Sequence, residues 1–267
     1  MDNKIINDMR RNIILTAHLA GEGHIPSSLS ILDIIWVLYD RVMRLGQHQS
    51  NNISPDRFIL SKGHASLALY AVLAEKGFLD SENFKDFCKY DSILGGHPDC
   101  NKIPGIEAST GSLGHGLPVA VGLALGAKIR QLDSRIFCLI GDGESNEGTI
   151  WESALLAAHY RLSNLCCIVD YNHSTDRALK VGNLAEKFTA FGWQATIVHG
   201  HDHNAIYDAL SAQAPDRPTA IVAETIKGFG VKRMENAPAW HHRSPTEEEL
   251  KEICKELWYE ETICPNC

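Results

Sequence analysis

The sequence lacks the features that mark nucleic-acid-binding and membrane proteins. It has no basic run, and its formal net charge is −8, from 25 Lys and Arg against 33 Asp and Glu. Such a chain does not offer the positive surface that nucleic acids require. No apolar stretch approaches the roughly 20 residues needed to span a bilayer. We therefore expect no nucleic-acid partner and no membrane insertion.

The sequence also shows no repeats or low-complexity segments, and we expect no secretory leader. Residues 1–20 predict an amphipathic helix instead of an apolar leader, and its inward face comprises Ile6, Met9, Ile13 and Ala17. The chain has 267 residues, 44% of them hydrophobic and 22% charged, which is ordinary for one large globular domain. We expect a cytoplasmic protein.

The eight cysteines do not form a zinc-binding pattern. Several fall in predicted buried strands, where a free thiol behaves as a small apolar group. Cys264 and Cys267 have the spacing of a metal-ligand pair, but no second pair accompanies them. We favour a tail without function at residues 259–267, with a metal or redox site as the alternative.

The most informative segment is Gly141-Asp142-Gly143, which ends an apolar run that predicts a strand. After a helical pattern, a second such run leads to Asn172. Because open α/β sheets bind ligands at the carboxyl ends of their strands, we expect Asp142 and Asn172 at one edge. A carboxylate and an amide oxygen suit Mg²⁺, which takes water and substrate phosphates as further ligands. A simple turn is the alternative.

Alternating strand and helix patterns predict a three-layer αβα fold around a mainly parallel sheet. Strands are expected over 135–140, 165–170, 195–198 and 219–225. Helices are expected over 1–20, 28–39, 64–76, 81–89, 114–130, 147–160, 203–212 and 246–257. Ser27 or Ser28 would cap the second helix, and Thr246 with Glu249 has the spacing of a capping box. Gly122 and Gly126, four apart, predict close packing of a neighbouring helix.

Gly141-Asp142-Gly143 followed by Asn172 resembles the thiamine diphosphate motif of thiamine-dependent enzymes. Over residues 5–250 the chain resembles the amino-terminal domain of transketolases. The segments that carry this resemblance are Gly23-His24, Ser27-Ser28, 56–65, Gly95-Gly96-His97-Pro98, 105–116, Lys227-Gly228-Phe229-Gly230 and Trp240-His241. The resemblance implies a thiamine diphosphate-binding, PP-type domain over 5–258.

The resemblance also implies the residues that hold the cofactor and its metal ion, Mg²⁺ with Ca²⁺ or Mn²⁺ as alternatives. The metal ligands would be Asp142, Asn172 and the backbone carbonyl of Ser174. Leu113 would be an apolar support under the bent cofactor, and His64 would contact its diphosphate. The full set of cofactor-binding residues would be His64, Gly111, Ser112, Leu113, Gly141, Asp142, Gly143, Glu144 and Asn172.

Histidines in three other matched motifs would face substrate oxygens: His24, His97 and His241. The reaction justifies such groups, because attack on a ketose carbonyl develops an alkoxide that positioned donors stabilise. Cleavage of the next C–C bond requires a base, and histidine suits this role near neutral pH. We prefer His241 to its neighbour His242, because His241 directly follows the motif tryptophan.

Some positions depart from the family pattern or leave their role open. Ile25 follows His24 where the family usually has a proline–glycine or glycine-rich step, and we expect position 25 to line the approach to the site. The loop after Asn172 also differs. Glu147 is either a favourable first-turn carboxylate or an interface residue that bonds its counterpart or a partner's catalytic glutamate.

Full-length transketolases have a second domain that binds the aminopyrimidine ring and supplies a catalytic glutamate, and no segment here resembles it. We therefore expect one subunit of a split transketolase, active with a separate C-terminal subunit in a heterotetramer with two copies of each. It would transfer a two-carbon ketol unit from a ketose or ketose phosphate to an aldose. Alternatives are a related enzyme, such as a 1-deoxyxylulose-phosphate synthase or an acyl transferase acting on an unusual sugar, and a non-catalytic regulatory or assembly subunit.

Overall fold

A computed structural model describes residues 2–46 and 54–257. Within these residues, five parallel strands form one sheet in the order β1-β2-β3-β5-β4. The strands are β1 (Arg57–Leu60), β2 (Ile136–Gly141), β3 (Leu165–Tyr171), β4 (Gln194–His199) and β5 (Thr219–Glu224). The helices are α1 (Asp2–Ala20), α2 (Ile25–Val37), α3 (Ser66–Glu75), α4 (Gly116–Ile129), α5 (Gly148–His159), α6 (Leu184–Ala190), α7 (His203–Ser211) and α8 (Glu247–Leu257).

The sheet separates two hydrophobic cores, because successive side chains of a strand point to opposite faces. In β2, Phe137 and Leu139 enter one core, whereas Cys138 and Ile140 enter the other. Helices α1, α2, α3, α7 and α8 cover the first face, and α4, α5 and α6 cover the second. The predicted three-layer αβα fold with a parallel sheet is confirmed.

Two local predictions from the sequence are confirmed at the ends of the chain. The predicted inward face of α1 is buried, with Ile13 and Ala17 fully inaccessible to solvent. The capping box of α8 is formed, since the Thr246 N–H donates to Glu249 Oε2 at 2.9 Å and the Glu249 N–H donates to Thr246 Oγ1 at 3.3 Å. These bonds satisfy amide groups at the helix start that have no partner within the helix.

The predicted start of α2 is wrong. The helix begins at Ile25, with Pro26 in its first turn and His24 as the N-cap residue, so neither Ser27 nor Ser28 caps it. Proline fits a first turn because the N–H it lacks would have no partner there. Ile25 is fully buried, so the expectation that position 25 lines the approach to the site is wrong too.

Short elements account for the other differences. Residues Ser81–Asp86 form a 3-10 helix in place of the predicted α-helix over 81–89. Strand β1 and helix α6 lie where no element was predicted, and they contain only four and seven residues. Few residues give little periodicity, so the sequence pattern was too weak to show them.

The prediction of close helix packing at Gly122 and Gly126 is wrong within this chain. A Cβ atom built on either glycine meets nothing within 4 Å, so no described segment lies against this part of α4. Val119 and Leu123, on the same helix, are exposed apolar side chains. This side of α4 is therefore an open apolar surface.

Over residues 2–46 and 54–257, no helix combines the length and apolar character required to cross a membrane. The predicted tail over 259–267, with Cys264 and Cys267, lies outside the described residues, and so does residue 258 at the predicted domain end.

Candidate active site

Four strands bring polar residues to one edge of the sheet, because all of them run in the same direction. β1 leads into Lys62 and His64, β2 into Asp142, β3 into Asn172, and β5 into Lys227. β2 and β3 are neighbours, and Gly141 pairs with Asp170. The predicted placement of Asp142 and Asn172 at adjacent strand ends is thus observed.

Asp142 is a buried carboxylate without a cationic side chain bonded to it among the described residues. Its Oδ1 accepts the N–H of Gly143 at 2.7 Å, and its Oδ2 accepts the N–H of Thr175 at 3.4 Å. Burial raises the pKa of Asp142, and the nearby charge of Asp170 raises it further. A divalent cation placed here would neutralise this charge, which is the property expected of a metal ligand.

Asp170 orients the amide of Asn172. The Asn172 Nδ2 donates to Asp170 Oδ2 at 2.9 Å, which turns the amide oxygen Oδ1 to the opposite side. There Oδ1 accepts the N–H of Ser174 at 3.2 Å and also the Ser174 hydroxyl. The assignment of the amide oxygen thus follows from its neighbours, and the oxygen faces the loop in which the metal was expected.

A buried ion pair supports this arrangement from below. Lys62 Nζ contacts Asp170 Oδ2, and both side chains are almost inaccessible to solvent. Asp170 also accepts the hydroxyl of Ser30 at 2.7 Å and that of Thr225. Burial alone would raise the pKa of Asp170, but the charge of Lys62 and these hydrogen bonds hold it below its usual value. Asp170 therefore stays ionised and can hold Asn172.

The donor set fits a thiamine diphosphate·Mg²⁺ complex. Among residues 2–46 and 54–257, no three His, Cys, Asp or Glu side chains form a metal cluster. The expected metal set contains only one such side chain, Asp142, and otherwise uses neutral oxygens that Mg²⁺ accepts together with phosphate. The buried hydroxyl of Ser27 has no hydrogen-bond partner in the described part of the chain. An unsatisfied buried hydroxyl is unfavourable, so a polar ligand group would stabilise it.

The loop with Gly111, Ser112 and Leu113 lies beside His97. Gly111 has φ +152°, and an added Cβ would approach His97 Cδ2 to 3.0 Å, so a side chain at this position would press on the histidine ring. Ser112 and Leu113 are exposed, and Leu113 is an apolar side chain left open to solvent. The predicted apolar support is thus available for a ligand to cover.

Glu144 joins this loop to the end of β2. Its Oε1 accepts the N–H of Gly114 at 2.8 Å and the Ser61 hydroxyl, and its Oε2 accepts the N–H of Gly141 at 3.0 Å. Glu144 is 2% exposed, and these bonds hold the two loops together. A contact between Glu144 and the cofactor stays a prediction.

Four histidine rings form a cluster above the strand ends. The ring centroid of His24 lies 5.0 Å from that of His64, 5.7 Å from that of His241 and 4.5 Å from that of His242. His241 Nδ1 lies 3.1 Å from Lys227 Nζ, whereas His242 Nε2 lies 4.0 Å from Glu22 Oε1. Both late histidines thus reach His24, and only His241 contacts the lysine.

Burial and nearby positive charge lower the pKa of His24, His64 and His241 and so favour their neutral forms. Burial lowers the pKa of His24 to about 4, with further contributions from His242, His241, His97 and Lys227. Burial and the charge of Lys62 likewise hold the pKa of His64 far below its usual value. Neutral imidazoles are able to accept a proton from a substrate hydroxyl, so their protonation state suits a base.

A cavity of about 380 Å³ adjoins the strand ends. Its wall includes Asn172, Ser174, Lys227 and His241. Lys227 Nζ lies 3.0 Å from Ser174 Oγ, and burial followed by the charge of Lys62 lowers its pKa to about 8. This lysine offers a positive charge beside Ser174, in the loop that is expected to hold the metal ion.

Glu147 is the N-cap residue of α5, but its side chain makes no capping hydrogen bond. The carboxylate is exposed, and its two predicted roles stay predictions.

The sequence did not indicate a role in the site for Ser27, Lys62, Asp170 or Lys227, and Ser27 was predicted only as a helix cap. All but Asp170 lie in segments that carried the family resemblance, and Asp170 precedes Asn172 by two residues. Their contacts join segments far apart in the chain, and only the fold brings these together. The one indication in the sequence was the position of Asp170, a charged residue two positions before Asn172, which was an expected metal ligand.

Known proteins match this chain over most of its length. The family model "Transketolase, thiamine diphosphate binding domain" matches residues 1–263. The chain is 36% identical over 255 residues to one of the subunits of the apulose-4-phosphate transketolase of Phocaeicola vulgatus, covering 93% of this chain and 90% of that protein. It is 38% identical over 244 residues to the 6-deoxy-6-sulfo-D-fructose transketolase subunit SqwG of a Clostridium species, covering 89% of each.

Solved structures give the same result. Transketolase of Pichia stipitis in complex with sedoheptulose-7-phosphate matches with a TM-score of 0.89 and 28% identity. The match covers 96% of this chain and 40% of that one, so this chain spans less than half of the length of that chain. The fold and the matched family model define a thiamine diphosphate-binding α/β protein. The chain belongs to the transketolase family, as the N-terminal, diphosphate-binding subunit of a split transketolase.

Proposed function

We propose that this subunit binds Mg²⁺ with thiamine diphosphate and, with a separate C-terminal subunit, transfers a two-carbon ketol unit from a ketose to an aldose. The observation that carries the proposal is the meeting of Asp142, Asn172 and the histidine cluster at one edge of the sheet. The two relatives are named for a phosphorylated and a sulfonated sugar, so we propose a donor ketose with an anionic group.

Each group has a proposed task. Asp142, the amide oxygen of Asn172 and the backbone carbonyl of Ser174 hold the metal ion. His64 and Lys227 contact the diphosphate, and Leu113 supports the thiazolium ring. The bound cofactor supplies a carbanion and an electron sink. His24, His97 and His241 hold substrate oxygens, and a neutral imidazole among them takes the hydroxyl proton when the C–C bond breaks.

We propose a heterotetramer with two copies of each subunit. The surface that supports it lies on α4 and α5, where the exposed apolar side chains are Val119, Leu123, Ile129, Leu155 and Leu156, with Tyr160 directly after α5. Leu113, in the proposed cofactor loop, is exposed as well and precedes α4 by three residues. Exposed apolar patches of this kind mark interaction surfaces. A cytoplasmic location agrees with the free cysteines of the described residues.

The function is tested by measuring ketol transfer from xylulose 5-phosphate and from a sulfonated ketose to a short aldose, with Mg²⁺ and thiamine diphosphate. We expect no turnover by this chain alone, and turnover after addition of its partner subunit, because we propose that the partner supplies the pyrimidine-binding site. Robust turnover by the single chain would contradict the two-subunit proposal. No turnover together with no cofactor binding in the complex would favour an assembly role.

The proposed interface predicts the effect of Gly122→Leu. The space around Gly122 is open in the single chain, so the leucine fits, and it favours the helix by up to about 1 kcal/mol because glycine is a poor helix former. At a close contact with the partner, the same side chain would hold the two subunits apart. We expect an unchanged or higher urea midpoint and an association at least about ten-fold weaker, or about 1.4 kcal/mol.

Sedimentation velocity with the partner subunit measures this association. Ser211→Leu is the matched control, because it adds a leucine at an exposed position of α7 in the opposite layer. Equal association of both variants would mean that the open side of α4 does not meet the partner.

A further inference from the structure

Asp33, a buried carboxylate on α2, has strong partners but no part in the proposed reaction. It is 3% exposed, and Arg10 Nη2 donates to its two oxygens at 3.1 and 2.9 Å. His201 Nδ1 lies 2.9 Å from Oδ2, and His203 Nε2 lies 3.0 Å from Oδ1. Several charge-assisted bonds converge on this carboxylate and fix its orientation.

His201 connects Asp33 to the loop after β5. Its second nitrogen, Nε2, lies 2.9 Å from the backbone nitrogen of Ile226. Because a backbone N–H can only donate, Nε2 accepts, and the proton of the neutral ring is on Nδ1, where it donates to Asp33. Asp33 thus selects the tautomer of His201 that can hold the Ile226 amide.

The same loop is held from two other directions. The His201 ring stacks on Phe229, with 3.6 Å between centroids and 16° between planes. The Gly228 N–H donates to the carbonyl of Pro26 at 3.0 Å, which ties the loop to the first turn of α2. Lys227 lies between these anchors, and its Nζ reaches Ser174 and His241 at the site.

We propose that Asp33 and His201 are a positioning pair, which fixes the 226–229 loop and thereby aims Lys227 at the diphosphate of the cofactor. The part that concerns the cofactor rests on the proposed function. Neither side chain contacts the reacting atoms in this arrangement. Their effect passes through the backbone amide of Ile226.

The substitution His201→Phe tests the pair, because a phenyl ring keeps the stacking on Phe229 and loses both hydrogen bonds. His203→Phe is the matched control, since it loses a bond to the same carboxylate, whereas the hydrogen bonds described for His203 do not include this loop. The first readout is amide hydrogen exchange of the 226–229 peptide in the ligand-free chain. We expect exchange at least about ten-fold faster in His201→Phe, and no change in His203→Phe.

The second readout is the affinity of the complex with its partner subunit for thiamine diphosphate with Mg²⁺. We expect binding about ten-fold weaker for His201→Phe than for His203→Phe. His201→Gln should recover part of both losses, because its amide oxygen can accept from the Ile226 N–H. If His201 had a purely structural role, both Phe variants would unfold at a lower temperature, and their affinities for the cofactor would not differ.

Equal exchange in both Phe variants would overturn the proposal. If His201→Phe does not fold, Asp33→Asn replaces it, because a neutral amide oxygen holds the Nδ1 proton of His201 less strongly than a carboxylate does. Unchanged exchange in that variant would overturn the proposal equally. If the unmodified complex binds no cofactor, the proposed function fails, while the exchange comparison in the ligand-free chain still decides the positioning role.

Discussion

Replacing Asp142 by Asn should weaken magnesium-dependent binding of thiamine diphosphate by at least about 100-fold, or about 3 kcal/mol, while the protein stays folded. The substitution removes the one charged side chain of the proposed metal set, and a neutral amide is a poorer ligand for Mg²⁺. The amide oxygen can still accept the N–H of Gly143, which now bonds Asp142 Oδ1 at 2.7 Å. The local turn should therefore persist. Calorimetric titration of the complex with Mg²⁺ or with EDTA measures the loss.

The same substitution should not reduce the stability of the ligand-free chain at neutral pH. Burial and the charge of Asp170 raise the pKa of Asp142 above its value in the unfolded chain. A carboxyl group with a raised folded-state pKa opposes folding when it is ionised, and this effect disappears as the pH falls through the raised pKa. The Asn variant lacks this effect, so its urea midpoint at pH 7 should equal or exceed that of the parent chain.

Asp176→Asn is the matched control for this experiment. Asp176 lies near the same site, and its carboxylate bonds to Tyr171 and His173 instead of facing the proposed metal. We expect cofactor affinity to change less than about two-fold, which is under 0.5 kcal/mol. Equal losses in both variants, or normal binding by Asp142→Asn, would remove Asp142 from the metal set.

The sequence predicted the parts of the fold that depend on local pattern. Apolar runs placed β2 and β3 to within a residue or so, and their Gly-Asp and Asn ends followed from the edge rule for parallel sheets. The inward face of α1 and the capping box of α8 are local as well. Where a competing local feature acted, the prediction was wrong: Pro26 moved the start of α2 to Ile25.

Parts of the site that depend on long-range contacts were not predictable from one sequence. Lys62 and Asp170 are 108 residues apart, and His201 meets Asp33 across 168 residues. No periodicity connects such positions, because their contact is decided by how the layers pack. Gly122 and Gly126 on α4 are a second example. Their spacing predicts a close neighbour, but it does not indicate whether that neighbour belongs to this chain or to a partner.

Breaking the buried ion pair should have the largest effect on stability. Lys62 is 2% exposed and Asp170 is fully buried, so Lys62→Met leaves an ionised carboxylate without its cation in a place that water does not reach. Removing one partner of a buried pair costs about 3–5 kcal/mol, because the remaining charge keeps its desolvation penalty. We expect a loss of this size from urea denaturation of the ligand-free chain.

The double variant Lys62→Met with Asp170→Asn separates charge from packing. It removes both charges and keeps an amide group near Ser30 and Thr225, so we expect it to recover at least half of the stability lost in Lys62→Met. Lys85→Met is the matched control, because Lys85 forms an exposed pair with Glu82, and its urea midpoint should stay within experimental error.

The pH dependence of the loss identifies its cause. Lys62 and the hydrogen bonds now hold the pKa of Asp170 below its usual value, so this carboxylate stabilises the parent chain at neutral pH and ceases to do so as the pH falls through that lowered pKa. Without Lys62, burial dominates and raises the pKa, and acid then relieves the uncompensated charge. The stability gap between the parent chain and Lys62→Met should therefore narrow as the pH is lowered from 7 toward about 5, in the range where a raised carboxyl pKa takes up its proton. A gap that stays constant with pH would mean that lost packing at position 62, and not the charge of Asp170, destabilises the chain.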